Sequence, residues 1–378
     1  MSAGATPDAR RGRHERMDRV RSAMAAVGVD ALLLSLGADL PWLTGYEATP
    51  LERLTMLVLP ADGPATLVVP LLEAPRVRED PDLFALRPWA ETEDPFDLVA
   101  GLVGGRRRLA VSDRAWSSAV LRLQSELPGA TWAVSSTVTG PVRAVKDEVE
   151  VACLRAAAEA ADRVAGALQA GDIPMIGRTE AAVSGEIGAR LRAEGHHRVN
   201  FAIVGSGPNS ASPHHEPGER VIGQGEMVVC DFGGTLSLDG GPGYCSDITR
   251  TVVTGPPKAE MAELYEVLHA AQAAAVAAAV TGSSCQDVDR AARRPITEAG
   301  YGEAFIHRTG HGIGLEEHED PYLVEGNATV LAPGHAFSVE PGIYLAGRFG
   351  ARLEDIVVAS ESGPDPLNRA DHGLAEVA

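Results

Sequence analysis

Four carboxylates in the C-terminal half of this 378-residue chain stand in or beside short apolar runs, and that placement constrains the fold more than any other feature. Asp231 follows EMVVC and leads into glycines, Asp247 opens SDITRTVVT, Glu340 follows AFSV, and Glu354 precedes DIVVAS. The β-branched and apolar runs read as strands, and each pair of acids is joined through a Gly-containing connection. The chain therefore predicts two hairpins that each bury two acids. Either aspartate alone could cap a turn at a strand end. Together the four are too costly to bury without opposite charge between them.

His311, in HRTGHGIGLEEHE, adds an imidazole, and the glycines at 310, 312 and 314 exclude a stable helix there and allow close backbone approach. Asp231, Asp247, His311, Glu340 and Glu354 form a ligand set of hard oxygens and one borderline nitrogen. Such a set suits two divalent cations that share a water or hydroxide, as in a two-metal hydrolase. His307 and His318 flank His311 and read as imidazoles beside the metals or facing substrate. His214 and His215 lie in the Pro-punctuated loop NSASPHHEPGER, which would read as polar surface if the other motifs were absent.

A formal net charge of −19 argues against nucleic acid or an anionic membrane as partner. The four cysteines, at 153, 230, 245 and 285, form no CxxC pair and read as reduced thiols in a cytoplasmic protein, with Cys230 and Cys245 close enough to two ligands to be oxidised there. The polar, basic first segment has no apolar stretch of a secretory signal. It reads as a frayed tail running into a helix from about His14 to Val27. The Ala-rich run AELYEVLHAAQAAAVAAAV carries Glu263, Glu266, His269 and Gln272 and reads as a packed helix, not a membrane span.

The length suits two domains. Over residues 1–141, VDALLLSLG, RLTMLVLP, ATLVVP and RRRLAVSD read as strands and SSAVLRLQSEL as a helix, an α/β arrangement with a mixed sheet. Trp42 and Tyr46, in DLPWLTGY, are either packing residues or part of a lid. Pro141 is expected to break the chain, and a helix to begin near Asp147, where Val151, Leu154, Ala158 and Ala161 fall at helical spacing. Residues 142–378 then alternate helices (178–194, 258–280, 285–299) with strands (199–205, 226–232, 247–253) ahead of the His311 segment and the glutamate pair.

In these motifs, five ligands and three histidines in order, the chain resembles the pita-bread metallopeptidases that cleave before proline, aminopeptidase P and Xaa-Pro dipeptidase (prolidase). The resemblance spans nearly the whole chain. It implies a creatinase/prolidase-type α/β N-terminal domain, an α+β pita-bread catalytic domain, a homodimer, and two divalent cations per chain, manganese first with cobalt or zinc as alternatives. It further implies that Asp247 and Glu354 are shared by both cations, that His214, His307 and His318 contact substrate and steady the tetrahedral intermediate, and that Arg352 and Tyr344 support the metals. Three departures stand out: the long connection TLSLDGGPGYC puts local register in doubt, Glu317 precedes His318 where the family has an aliphatic residue, and Tyr322 stands where some prolidases carry an arginine that grips a dipeptide's carboxylate. Acceptance of tripeptides is therefore expected.

The chemistry expected from these parts is attack by a metal-bridging hydroxide on the carbonyl preceding proline. His318 would stabilise the oxyanion, Glu340 would carry the proton to the departing nitrogen, and His214 and His307 would line the leaving-group side. Other readings are a pita-bread enzyme acting on a small non-peptide substrate (ectoine hydrolase, a creatinase-like enzyme or a dimethylsulfoniopropionate lyase), a non-catalytic peptide-binding relative, and a methionine aminopeptidase. The intact ligands argue against the peptide-binding relative and against creatinase. The large N-terminal domain argues against methionine aminopeptidase.

Overall fold

The computed structural model describes residues 7–238 and 241–378. They form two compact units, one from the chain up to Arg143 with Leu238–Pro242, the other from Ala144–Ser237 and Gly243–Ala378. The first unit is built on six strands: β1 (Ala31–Leu34), β2 (Met56–Pro60), β3 (Ala65–Pro70), β4 (Phe84–Trp89), β5 (Arg108–Val111) and β6 (Thr131–Val134). Their order is β4-β3-β2-β1-β5-β6. The sheet is mixed, with β1, β2 and β3 antiparallel in turn and β1–β5, β5–β6 and β3–β4 parallel. Continuous apolar strands suit a sheet covered on both faces. Leu33, Met56, Val58 and Val68 pack with Val99 and Val103 of the helix Pro95–Val103 and with Leu123 of the helix Ser117–Glu126. Trp42 and Tyr46 are buried in this unit as packing residues.

Two expectations need correction here. Pro141 does not break the chain: the helix Ser136–Ala144 runs through it. A proline removes one helical hydrogen bond, and tertiary contacts outweigh that loss, because Ser135, Thr139 and Arg143 all donate to the buried carboxylate of Asp39. The N-terminal helix spans Pro7–Val27, well before His14. Its start at a proline is favourable, since first-turn N–H groups have no helical acceptor and proline has no N–H. Residues 1–6 of the expected tail lie outside the described residues.

The second unit opens with the helix Glu148–Gln169, whose N-terminus is closed by a capping box: Glu150 N–H donates to the Asp147 carboxylate and Asp147 N–H to the Glu150 carboxylate, both at 2.9 Å. Its apolar face and that of the helix Glu180–Ala193 cover β7 (Arg198–Ser206), β8 (Met227–Leu236) and β10 (Ile248–Thr254). The short strand β9 (Tyr244–Cys245) extends the β8 ladder. Thr235 pairs with Cys245 and Phe232 with Ile248 in one unbroken register, so the long connection leaves the pairing intact. Part of its tip, residues 239–240, lies outside the described residues.

The glutamate pair is arranged differently from a simple hairpin. Strand β13 (Ala336–Val339) pairs with β16 (Asp355–Ser360), Val339 opposite Asp355, while the chain between them turns aside as a separate ribbon, β14 (Gly342–Leu345) with β15 (Phe349–Arg352). Glu340 and Glu354 therefore sit at the fork, one at the exit of β13 and one at the entry of β16. Strand β11 (Gly310–Gly312) lies between β13 and β12 (Glu319–Leu323). A Cβ at Gly310 would overlap the Ser338 carbonyl oxygen and one at Gly312 the Asp320 carbonyl oxygen. These glycines thus admit neighbouring strands rather than a ligand. The helices Ala259–Ala278 and Cys285–Glu298 cover this sheet through Leu264, Leu268, Val288 and Ile296. Among the described residues no helix is long and apolar enough to cross a membrane.

Candidate metal centre and substrate cavity

Strand parity gathers the site. In β8 and β10, Asp231 lies opposite Thr249, and on the far side of β8 it lies opposite Ile203 of β7. Side chains alternate faces along a strand, so Phe201, Ile203, Asp231, Thr249 and Asp247 share one face. That face lines a cavity of about 740 Å³, completed by the fork glutamates and the His311 segment. The five expected ligands come together there. Ligand atoms of Asp247, His311 and Glu354 all lie within 4.8 Å of one another, and Glu340 Oε1 is 3.3 Å from His311 Nε2.

The donor set fits divalent cations on three observations. Asp231 Oδ1 is buried with no hydrogen-bond donor among the described residues, a costly state unless a cation meets it. His311 Nδ1 lies 3.2 Å from the Gly312 carbonyl, which fixes the proton there and leaves Nε2 as a free lone pair toward the acids. Burial, together with nearby His318, lowers that imidazole to about 3, so it is neutral. Finally, burial and mutual repulsion push the Asp247 and Glu354 carboxyls well above their usual range, and burial raises Glu340 to about 7 against the opposing pull of Arg352. Bound dications relieve that repulsion.

A pH dependence follows for protein stripped of metal. The folded site binds protons that the unfolded chain has released between the ordinary Glu value of 4.5 and about 7. Stability contributed by these raised groups is present at the acidic end and is lost as pH rises through about 7. Metal-stripped protein should melt lower by several degrees at pH 7.5 than at pH 5.5, and metal loading should remove the trend. A flat profile for the stripped protein would contradict the electrostatics described.

Arg352 is the hub beside the acids. Its Nη2 donates to Asp231 Oδ2 at 2.5 Å, Nε to Thr249 Oγ1, and Nη1 to the Tyr344 hydroxyl and the Pro213 carbonyl. Thr249 in turn donates to Glu354 Oε2 at 2.6 Å. Tyr344 continues the chain to His307, whose Nε2 is 2.9 Å from the hydroxyl while Nδ1 faces the Arg308 carbonyl at 2.7 Å. Both nitrogens of His307 are thus engaged with protein. His318 differs: Arg308 Nη2 lies 3.4 Å from its Nδ1, and since a guanidinium only donates, the neutral ring carries its proton on Nε2. Burial and Arg308 lower its pKa, which keeps it neutral. His214 lines the cavity, and its ring has no hydrogen-bond partner among the described residues.

Glu317 also lines the cavity and is exposed there. Tyr322 supports Arg308, whose guanidinium lies 4.5 Å above its ring, and Arg308 has no carboxylate partner among the described residues. Sequence reasoning passed over Arg308 although it sits in HRTGH, and it missed Thr249, whose signal is its place two residues after Asp247 on the same face. Cys230 and Cys245 are buried free thiols. Burial raises both, Cys245 to about 12, so neither presents a reactive thiolate beside the site.

A carboxylate–imidazole site facing a cavity in a helix-covered, largely antiparallel domain, in a chain that also carries a separate mixed-sheet domain, defines a metallohydrolase of the pita-bread class. Sequence comparison gives the family. Residues 152–361 match metallopeptidase family M24 and residues 16–145 the creatinase/prolidase N-terminal domain, and the chain belongs to that metallopeptidase family. It is 43% identical to the probable dipeptidase PepE of Mycobacterium tuberculosis, over 96% of each chain. It is 35% identical to the Xaa-Pro dipeptidase of Lactobacillus delbrueckii subsp. lactis, over 95% of this chain and 98% of that one. The crystal structure of dipeptidase PepE from Mycobacterium ulcerans superposes with a TM-score of 0.90 at 43% identity, covering 97% of this chain and 98% of that chain.

Proposed function

We propose that this enzyme hydrolyses the peptide bond preceding proline, with dipeptides as the preferred length and two divalent cations held by Asp231, Asp247, His311, Glu340 and Glu354. The observation that carries this reading is the convergence of those five side chains on one cavity, with the orphaned Asp231 oxygen among them. The names of the relatives, dipeptidase and Xaa-Pro dipeptidase, supply the substrate class. An oxygen-rich set with one imidazole suits manganese. Four buried free thiols suit a reducing, cytoplasmic setting.

When bound, the cations supply positive charge that acidifies a water toward neutrality and polarises the scissile carbonyl. The chain's own groups supply the rest. Glu340 takes a proton and hands it to the leaving nitrogen, which in an Xaa-Pro bond has no hydrogen of its own. His318 offers its Nε2–H to the developing oxyanion. His307 and Tyr344 hold Arg352 against Asp231, so they act by positioning. Arg308, over the Tyr322 ring and without a carboxylate partner among the described residues, meets the substrate's free carboxylate and provides the cation that Tyr322 does not.

The test is metal analysis with a panel of Ala-Pro, Ala-Pro amide, Gly-Pro-Ala and Ala-Ala. The reading expects close to two cations per chain and Ala-Pro cut much faster than Ala-Ala. A metal content near zero, or equal rates on the two dipeptides, overturns it. Arg308→Ala should raise KM for Ala-Pro roughly tenfold, the order of one charge-assisted hydrogen bond of about 1.5 kcal/mol, and leave KM for Ala-Pro amide unchanged, while any loss of kcat through the released His318 ring falls on both substrates. An equal rise in KM on both would remove Arg308 from carboxylate binding.

A further inference from the structure

We infer that Glu180, a buried carboxylate that does not line the cavity, is a positioning residue that sets the place of His214 by anchoring the loop from Ser206 to His215. The inference rests on the reading of His214 as a substrate-facing group. Glu180 is the first residue of the helix Glu180–Ala193 and is fully buried. Its two oxygens are saturated by one short stretch of chain. Oε1 accepts from Ser206 N at 2.8 Å and Ser206 Oγ at 2.7 Å, Asn209 Nδ2 lies 3.1 Å from both oxygens, and His215 Nε2 is 2.7 Å from Oε2.

These contacts bracket the loop at its start, middle and end, and His214 directly precedes the last of them. Among the described residues the His214 ring makes no hydrogen bond, so no polar contact of its own fixes it and its place follows the backbone that carries it. That backbone is held from one side by Glu180 and from the other by Arg352, through the Pro213 carbonyl. The loop is further tied by Arg220 Nη1 to Ser206 Oγ at 2.6 Å, so its start is doubly fixed. The end at His215 depends on Glu180. His215 thus has a role as the loop's anchor.

An internally buried acid could also serve only to stabilise the fold, and a double-mutant cycle separates the two roles. Glu180→Ala, His214→Ala and the double variant are compared for kcat on Ala-Pro, with metal content and melting temperature measured alongside. His215→Ala, alone and with His214→Ala, and His215→Gln are added as milder changes in case Glu180→Ala folds poorly. Positioning predicts that Glu180→Ala and His215→Ala each lower kcat about tenfold with metal content unchanged, that either loss disappears in the His214→Ala background, and that His215→Gln, which can still donate to Glu180, recovers most activity. Losses that multiply in the double variants show a purely structural role and overturn the inference. If His214→Ala is itself fully active, the substrate-facing reading of His214 has failed, and the inference falls with it. If His214→Ala is impaired while both Glu180→Ala and His215→Ala are as active as the unmodified protein, only the positioning inference falls.

Discussion

Replacing His311 by Ala is expected to strip the enzyme of metal and activity together, while His318→Ala should keep its metal and lose turnover by roughly a hundredfold or more. The two rings are tilted by 52° with centroids 3.9 Å apart, so proximity alone cannot distinguish their roles. Their hydrogen bonds do. His311 turns Nδ1 to a backbone carbonyl and Nε2 to the acids, the geometry of a ligand. His318 has Nδ1 committed to Arg308 and presents a protonated Nε2, the geometry of a donor to developing negative charge, and one such donor is worth about 10²–10³ in kcat. Elemental analysis and Ala-Pro hydrolysis on both variants settle the assignment. A fully active His318→Ala protein, or one that loses metal as His311→Ala does, reverses it.

Arg250→Met should cost about 3–5 kcal/mol of stability, the scale of leaving a buried charge without its partner. The Arg250 and Asp355 side chains are 0% and 1% exposed and meet at 2.8 Å. The same guanidinium donates to the Glu354 carbonyl at 2.6 Å and to the Thr249 carbonyl at 3.0 Å, so it holds the backbone at a ligand as well as the charge behind it. Asp355 keeps its contacts with Gln272 and His372 in the variant, which is why folding should survive. Denaturant unfolding of the metal-loaded protein measures the effect. A loss below about 1 kcal/mol would mean that water or rearrangement satisfies Asp355.

Much of this arrangement was legible in the chain because burial of charge is so expensive that acids inside apolar runs carry information. Asp231 and Asp247 announced themselves in that way, as did the helix beginning after Asp147, where cap and apolar spacing agree. Strand β4 was not legible, because FALRPW mixes Arg and Pro into an edge strand. Strand β6 was hidden because TWAV is only four residues long, an apolar run too short for its period to separate strand from helix. The fork at Glu340 and Glu354 also escaped notice, since two strands and a diverging ribbon have the same local pattern as one long hairpin. The anchoring of the loop by Glu180 joins residues 35 positions apart, a pairing that only the folded chain defines.

Arg352 places a permanent cation inside the acid cluster, and this has a consequence for how the enzyme acquires its cofactor. A guanidinium stays charged at any physiological pH, so part of the counter-charge is built into the polypeptide and does not depend on which ions are in solution. Part of the charge balance is thereby in place before any cation arrives. Cation binding still adds stability, because the folded cluster and not the unfolded chain holds the ion. A guanidinium already seated on Asp231 lowers the positive charge that the cluster must draw from solution.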